Sequence, residues 1–168
     1  MNERERFRVA AARPADVPDL HALVRGLAEY ERLSDLCIST EADLHRALFT
    51  PPAACEALIA RLDAESEEAA GFALFFHTYS TFIGRRGLWL EDLFVVPAHR
   101  GRGLGRQLLS VLARIATERG CARFEWSVLD WNAPAIRFYE SLGARIMSDW
   151  RIARVTGAEL DRLAGVGK

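Results

Sequence analysis

The sequence predicts a mixed α/β domain in which helices cover one sheet. Three observations carry this. Stretches with helical periodicity alternate with short runs of strand composition. Several of those runs follow each other across short turns, which marks hairpins. Near the middle of the chain a strand, a glycine-rich loop and a long helix come directly after one another, as in a βαβ-like unit.

The elements follow in order. Phe7–Ala11 reads as a first strand. Pro14 opens a helix to about Leu33, with Val17, Leu20, Val24 and Leu27 on one stripe and Asp16 and Asp19 complementing its dipole. Thr40–Phe49 reads as a second helix, because Thr40 and Asp43 form a capping-box start and Pro51-Pro52 stops it. Ala54–Leu62, Ala70–Tyr79 and Gly87–Val96 read as three strands, joined by the charged turn DAESEEAAG and by TFIGRRG. Pro97 ends the third of these. After the loop His99–Gly105 comes a helix over Leu104–Arg119, with Leu104, Leu108, Leu112, Ile115 and Ala116 on one face and Gly120 closing it. Cys121–Leu129 reads as a strand, Pro134–Leu142 as a short helix and Ala144–Val155 as a last strand.

Composition narrows the chemistry. The chain of 168 residues suits one domain spanning 1–168, and its net charge of -1 comes without any long charged run, so nucleic-acid binding is not expected. Of 22 basic residues 21 are Arg, and the single Lys is Lys168; Schiff-base catalysis is therefore not expected. Cys37, Cys55 and Cys121 form no CxxC pair, and His21, His45, His77 and His99 form no HExxH motif, so no metal is expected. There is no apolar run of about 18 residues, hence no expected membrane span, and MNERERFRV does not read as a signal peptide. A reduced, cytoplasmic setting fits this cysteine usage.

The segment from Leu93 to Leu109, LFVVPAHRGRGLGRQLL, holds the strongest signal. Glycine frees successive backbone N–H groups to converge on an anion, the helix start adds partial positive charge, and Arg100, Arg102 and Arg106 add formal charge. This is a site for a phosphate-bearing ligand. A P-loop would need GK[ST], and a dinucleotide fingerprint would need glycine where Arg106 stands.

This R-G-x-G-x-G pattern resembles the acetyl-CoA loop of the GNAT superfamily of N-acetyltransferases. A second segment, from Asp130 to Ala144 (DWNAPAIRFYESLGA), is similar to the late GNAT motif. Within the superfamily, LAEYE at 27–31, FIG at 82–84, WLEDLFV at 89–95 and WNAP at 131–134 resemble the diamine (spermidine/spermine-type) acetyltransferases over roughly residues 6–155. The resemblance implies a GNAT fold, with a mixed central sheet of splayed strands flanked by helices. It also implies acetyl-CoA as co-substrate, a small-molecule amine as acceptor and a homodimer.

Carried over by position, Leu93, Phe94 and Val95 would offer strand backbone to the pantetheine arm. Arg100, Gly101, Arg102, Gly103, Leu104, Gly105 and Arg106 would hold the pyrophosphate. Asn132, Pro134 and Ala135 would line the far side of the cofactor. Tyr139 would be the general acid, and Glu91 would bind the amine or deprotonate it through water. Tyr30, Glu31, Glu125, Trp126 and Ser127 would face the substrate. Between Tyr139 and Trp150 the chain is shorter than the family pattern. An acidic substrate contact there has no clear counterpart, with Asp149 an approximate one.

The residues themselves admit this chemistry. An alkyl ammonium has a pKa near 10 and must lose a proton before it attacks a thioester. A carboxylate at Glu91 can accept that proton directly or through one water, and a phenol at Tyr139 can protonate a leaving thiolate. A backbone N–H near Val95 can polarise the thioester oxygen. Strand alternation places Glu91 and Asp92 on opposite faces, so only one of them reaches a given site. An ion-pair role for either carboxylate, a core role for Tyr139 and a solvated face for Glu29, Glu31 and Asp35 are the structural alternatives. At the level of function, a peptide acetyltransferase and a non-catalytic acyl-CoA-binding module are the alternatives to a small-molecule acetyltransferase.

Overall fold

The computed structural model describes residues 7–62 and 67–166. Residues 63–66 of the charged turn, the first six residues and the last two lie outside them. Packing divides the chain into two units, one up to Ser127 and one from Val128.

The first unit is a five-stranded sheet with helices on both faces. Its elements are β1 (Phe7–Ala11), α1 (Val17–Tyr30), α2 (Glu41–Phe49), β2 (Glu56–Leu62), β3 (Ala69–Ser80), β4 (Arg85–Val95), α3 (Leu104–Glu118) and β5 (Arg123–Trp126). The sheet order is β1-β2-β3-β4-β5. β1 to β4 run antiparallel, and β5 lies parallel to β4 across the α3 crossover. The expected hairpins and βαβ-like unit are both present.

Alternation sends two sets of side chains to opposite faces. Ile59 and Phe72, paired in register, face α1 and α2, and join Leu20, Leu23, Leu48, Ala57 and Phe94 in one core. On the other face α3 buries Leu104, Leu108, Leu109, Leu112 and Ala116. Gln107 of α3 also donates from Nε2 to the Phe7 carbonyl, at 3.0 Å, which ties that helix to β1.

β4 contains the irregularity that shapes the molecule. Leu74 pairs with Asp92 and Phe75 with Leu90, so Glu91 has no partner on β3 and forms a β-bulge. Pairing with β5 covers only Gly87 to Leu90, opposite Arg123 to Trp126. β4 then runs five residues further, from Glu91 to Val95, without a β5 partner. The splay expected of the central strands therefore begins at the bulge. The strand expected over Cys121–Leu129 is correspondingly reduced to four residues.

α1 is shorter than its periodicity suggested. A 3₁₀ turn at Pro14–Asp16 precedes it. It ends in a Schellman motif, with Leu33 N–H on the Ala28 carbonyl at 2.8 Å and Arg32 N–H on the Glu29 carbonyl at 3.0 Å. Arg32 takes the left-handed position, φ 61°, that such a cap requires. The cap fixes where Glu29, Tyr30 and Glu31 sit.

The second unit holds α4 (Ala133–Glu140) and α5 (Gly157–Ala164). The last strand expected over Ala144–Val155 is absent, and α5 was not anticipated. Ile146, Trp150, Ile152 and Val155 are exposed. Spaced apolar residues do not make a strand without a neighbouring edge to pair with. Among the described residues, no helix is long and apolar enough to cross a membrane.

An ion cluster fastens the start of α1 to the sheet. Buried Asp16 accepts from Arg61 at 2.8 Å and from the Arg13 amide at 2.8 Å, while Arg61 also reaches Asp19 at 2.6 Å. Burial alone would raise the Asp16 carboxyl. The Arg61 and Arg13 hydrogen bonds and the two guanidinium charges outweigh it and hold the group below the usual carboxylate range. A depressed carboxylate contributes stability above its unfolded pKa and loses it as pH falls. Asp16→Asn should therefore cost about 1–3 kcal/mol at pH 7 in urea unfolding, with the gap to wild type closing on acidification below about pH 4.

Candidate active site

The glycine loop leaves its backbone open to close approach. A 3₁₀ turn at Pro97–His99 turns the chain out of β4. Gly101 (φ 74°) and Gly103 (φ 88°) then take left-handed conformations. A Cβ added to either glycine would meet no atom within 4 Å, so the backbone conformation is what demands glycine there. Gly103 is the N-cap of α3 and offers no side chain to its first turn. The first helical bond runs from Gln107 N–H to the Gly103 carbonyl, so the helix supplies no acceptor for the Leu104, Gly105 and Arg106 amides. These amides make the candidate anion cradle: Gly105 lies inside α3, and the Leu104 side chain is buried core. Arg102 and Arg106 are exposed at its rim.

Arg100 is placed differently from the other two arginines. Its Nε donates to the Val95 carbonyl at 2.9 Å. Its guanidinium lies over the Tyr30 ring at 4.4 Å and over the Phe94 ring at 5.6 Å.

Leu93, Phe94 and Val95 form the end of β4, opposite Ala73, Phe72 and Gly71. Phe94 is buried against α1, so its side chain is structural. What this stretch can offer a ligand is main chain, since its outer edge has left β5. The glycine loop and this free strand edge are contiguous, and they fit a ligand with a diphosphate at one end and an amide-bearing arm, as in coenzyme A. A groove of about 660 Å³ runs along α1 past Gly26, Glu29 and Tyr30 to Phe94 and Val96.

The bulge overturns the expected disposition of the two carboxylates. Glu91 Oε2 accepts from Trp89 Nε1 at 2.9 Å, which places Glu91 on the Trp89 side of the sheet. Asp92, in register with Leu74, faces the same side, towards α1. Both carboxylates thus share one face, because the extra residue breaks alternation. Burial, then Glu91, then Glu31 push the Asp92 carboxyl up to about 6. Burial also raises Glu31, at the end of α1. Cys55, beside this cluster, is raised by burial first and then by Asp92, Glu56 and Glu91. Like charges crowded in a half-dry site hold protons that a passing cation would displace.

The remaining substrate-side residues lie on β5. Glu125 is in register with Trp89 and pairs with Arg123 at 2.7 Å. Trp126 packs on Phe124 with ring centroids 4.9 Å apart. Ser127 is exposed beyond the strand.

In the second unit, Asn132 is buried and caps α4, its Oδ1 accepting from the Ala135 amide at 3.3 Å. Pro134 sits in the first turn, where its missing N–H costs nothing. Tyr139 is buried, with the Phe138 ring 5.4 Å away.

The first unit thus brings Tyr30, Glu31, Glu91 and the end of β4 to one region. Sequence reasoning missed two members of it. Asp92 was set aside on strand alternation, and Trp89, which holds Glu91, was given no role although it opens the WLEDLFV block. Two adjacent carboxylates in the apolar run LWLEDLFVV were the available signal. Among the described residues, no group of His, Cys, Asp and Glu is arranged to hold a metal ion.

Comparison with known proteins identifies the family. The model of the acetyltransferase (GNAT) family matches residues 24–144. L-ornithine N5-acetyltransferase NATA1 of Arabidopsis thaliana is 32% identical over 198 residues, covering 93% of this chain and 87% of that protein. Thialysine N-epsilon-acetyltransferase of Mus musculus is 32% identical, covering 94% of this chain and 97% of that protein. Among solved structures, an integron cassette protein from the mobile metagenome of V. cholerae matches with a TM-score of 0.78 at 27% identity, over 94% of this chain and 97% of that one. The chain belongs to the GNAT acetyltransferase family and is an acetyl-transferring enzyme.

Proposed function

We propose that this enzyme acetylates a primary amine of a small cationic molecule: a diamine, a polyamine or a lysine-like amine. The observation that carries the reading is the acidic face made by Glu91, Asp92 and Glu31 beside the free edge of β4. The names of the ornithine and thialysine enzymes point to acceptors of this class.

Acetyl-CoA, the co-substrate of the family, supplies an acetyl group activated as a thioester. The amides of residues 101–106 fit its diphosphate, with Arg102 and Arg106 adding charge, and the main chain of Leu93–Val95 fits its pantetheine arm. The acidic face attracts the acceptor ammonium and takes its proton, with Glu91 held for this by Trp89 and Asp92 sharing the charge. The amine lone pair then forms the new C–N bond as the C–S bond breaks, and the second proton lost from that nitrogen restores the phenol that protonates the departing thiolate. We assign the proton for the departing thiolate to Tyr139, on the strength of the N-x-x-A-x-x-F-Y pattern from Asn132. Asn132, Pro134 and Ala135 belong to the same motif, and Glu125, Trp126 and Ser127 complete the substrate-facing set. A cytoplasmic homodimer whose protomer is one domain over 1–168 goes with this reading.

A panel of diamines, polyamines and lysine analogues, assayed by acetyl-CoA turnover, should contain an accepted amine; turnover with none of them would end the proposal. Tyr139→Phe should lower kcat by about 10²-fold while CoA affinity is retained, and unchanged turnover would remove the acid assignment.

The acidic face also makes two predictions about pH. kcat/KM should rise through an apparent pKa near 6 that belongs to the carboxylate cluster, and Asp92→Asn should flatten that limb. Because the native state binds this proton more tightly than the unfolded chain, wild-type stability falls as pH rises from the ordinary aspartate range to about 6. Asp92→Asn should therefore melt above wild type at pH 8, and that advantage should vanish near pH 4.

A further inference from the structure

Three arginines stand at the glycine loop, and formal charge alone would assign all of them to phosphate. The geometry separates them. Arg100 is extended (φ -70°, ψ 158°) and turned back onto its own strand. Its Nε is occupied by the Val95 carbonyl, and the central carbon of its exposed guanidinium lies over the Tyr30 ring on α1 and over the buried Phe94 ring. Tyr30 is the last residue of α1, immediately before the Schellman cap, and Glu31 follows it. Arg100 is therefore a strut joining the loop, the end of β4 and the end of the helix that carries Glu31.

We propose that Arg100 is a positioning residue for the amine acceptor, holding Tyr30 and Glu31 against the end of β4, and is not a ligand of the CoA diphosphate. A planar guanidinium can stack on a ring and donate sideways to a carbonyl at once, whereas an ammonium cannot do both in this geometry. The phosphate charge is then balanced by Arg102, Arg106 and the loop amides. This assignment rests on the amine-acetyltransferase reading above for what the held face does. The strut itself rests only on the contacts described.

The test separates the two. CoA affinity by calorimetry, and KM and kcat for an accepted amine, are measured for wild type, Arg100→Lys and Arg106→Ala. Arg100→Lys should leave the CoA Kd within about threefold and raise the amine KM by about tenfold, while Arg106→Ala should weaken CoA and spare the amine KM. Arg100→Lys is then placed in Tyr30→Phe and Tyr30→Leu backgrounds. Its penalty should persist where the ring remains and disappear where the ring is gone, the non-additivity of contacting residues. A CoA Kd weakened about tenfold by Arg100→Lys with the amine KM unchanged, or a penalty that persists in the Tyr30→Leu background, would overturn the proposal. Thermal melting of wild type, Arg100→Lys, Tyr30→Leu and their double variant reads the Arg100–Tyr30 coupling without any acceptor. A wild-type chain that binds CoA but acetylates no amine would thus refute the functional reading and still leave the strut decided.

Discussion

The unpaired residue at Glu91 is the constraint on which the active region depends. One extra residue in β4 removes a ladder partner on the β3 side, and pairing with β5 ends at the residue before it. Two features of the candidate site follow from this one irregularity. The end of β4 is left without a partner strand on the β5 side, and two carboxylates that alternation would have separated come to one face. A bulge concentrates such effects because it bends the strand and re-aims the side chains beside it. The site is therefore a local departure from the regular sheet, and the surrounding regularity holds it in place.

The rigidity of that surround comes from both faces. Phe72 and Phe94, paired across β3 and β4, sit in the core beneath α1, and full burial of such side chains contributes about 1.5–3 kcal/mol each. α3 covers the opposite face and presents its first turn at the end of β4. Helix, loop and strand edge are thereby fixed with respect to one another by apolar packing, and the polar groups of the candidate site are carried on that frame. The Asp16–Arg61–Asp19 cluster does the same at the other end of α1.

Much of the fold was legible in the residues. The stripe Val17, Leu20 and the capping box at Thr40 located α1 and α2, and Pro97 and Gly103 bracketed the loop. The loop was readable because glycine there answers a backbone requirement that no other residue meets cheaply. What was not legible depended on pairing. Periodicity in Ala144–Val155 suggested a strand, but a strand exists only where another edge accepts its hydrogen bonds, and the residues do not encode which edges remain open. The same limitation hid the shared face of Glu91 and Asp92, since a bulge is a property of two strands in register and is invisible in either one alone. Arg100 looked like its neighbours Arg102 and Arg106 for a related reason: its partners, Tyr30 and Phe94, are distant in sequence or on another element.

The inside-out order of β4 has one more consequence. Leu88 and Leu90 point to one side, and Asp92 and Phe94 to the other. Strike out Glu91 and the remaining residues still alternate without fault. The sheet's own packing therefore places no demand on this position, and a chain one residue shorter here would keep every buried side chain on its proper side while closing the seam beside β5. The bulged residue is thus one that sheet packing alone could spare, so the identity of its side chain is not dictated by the fold.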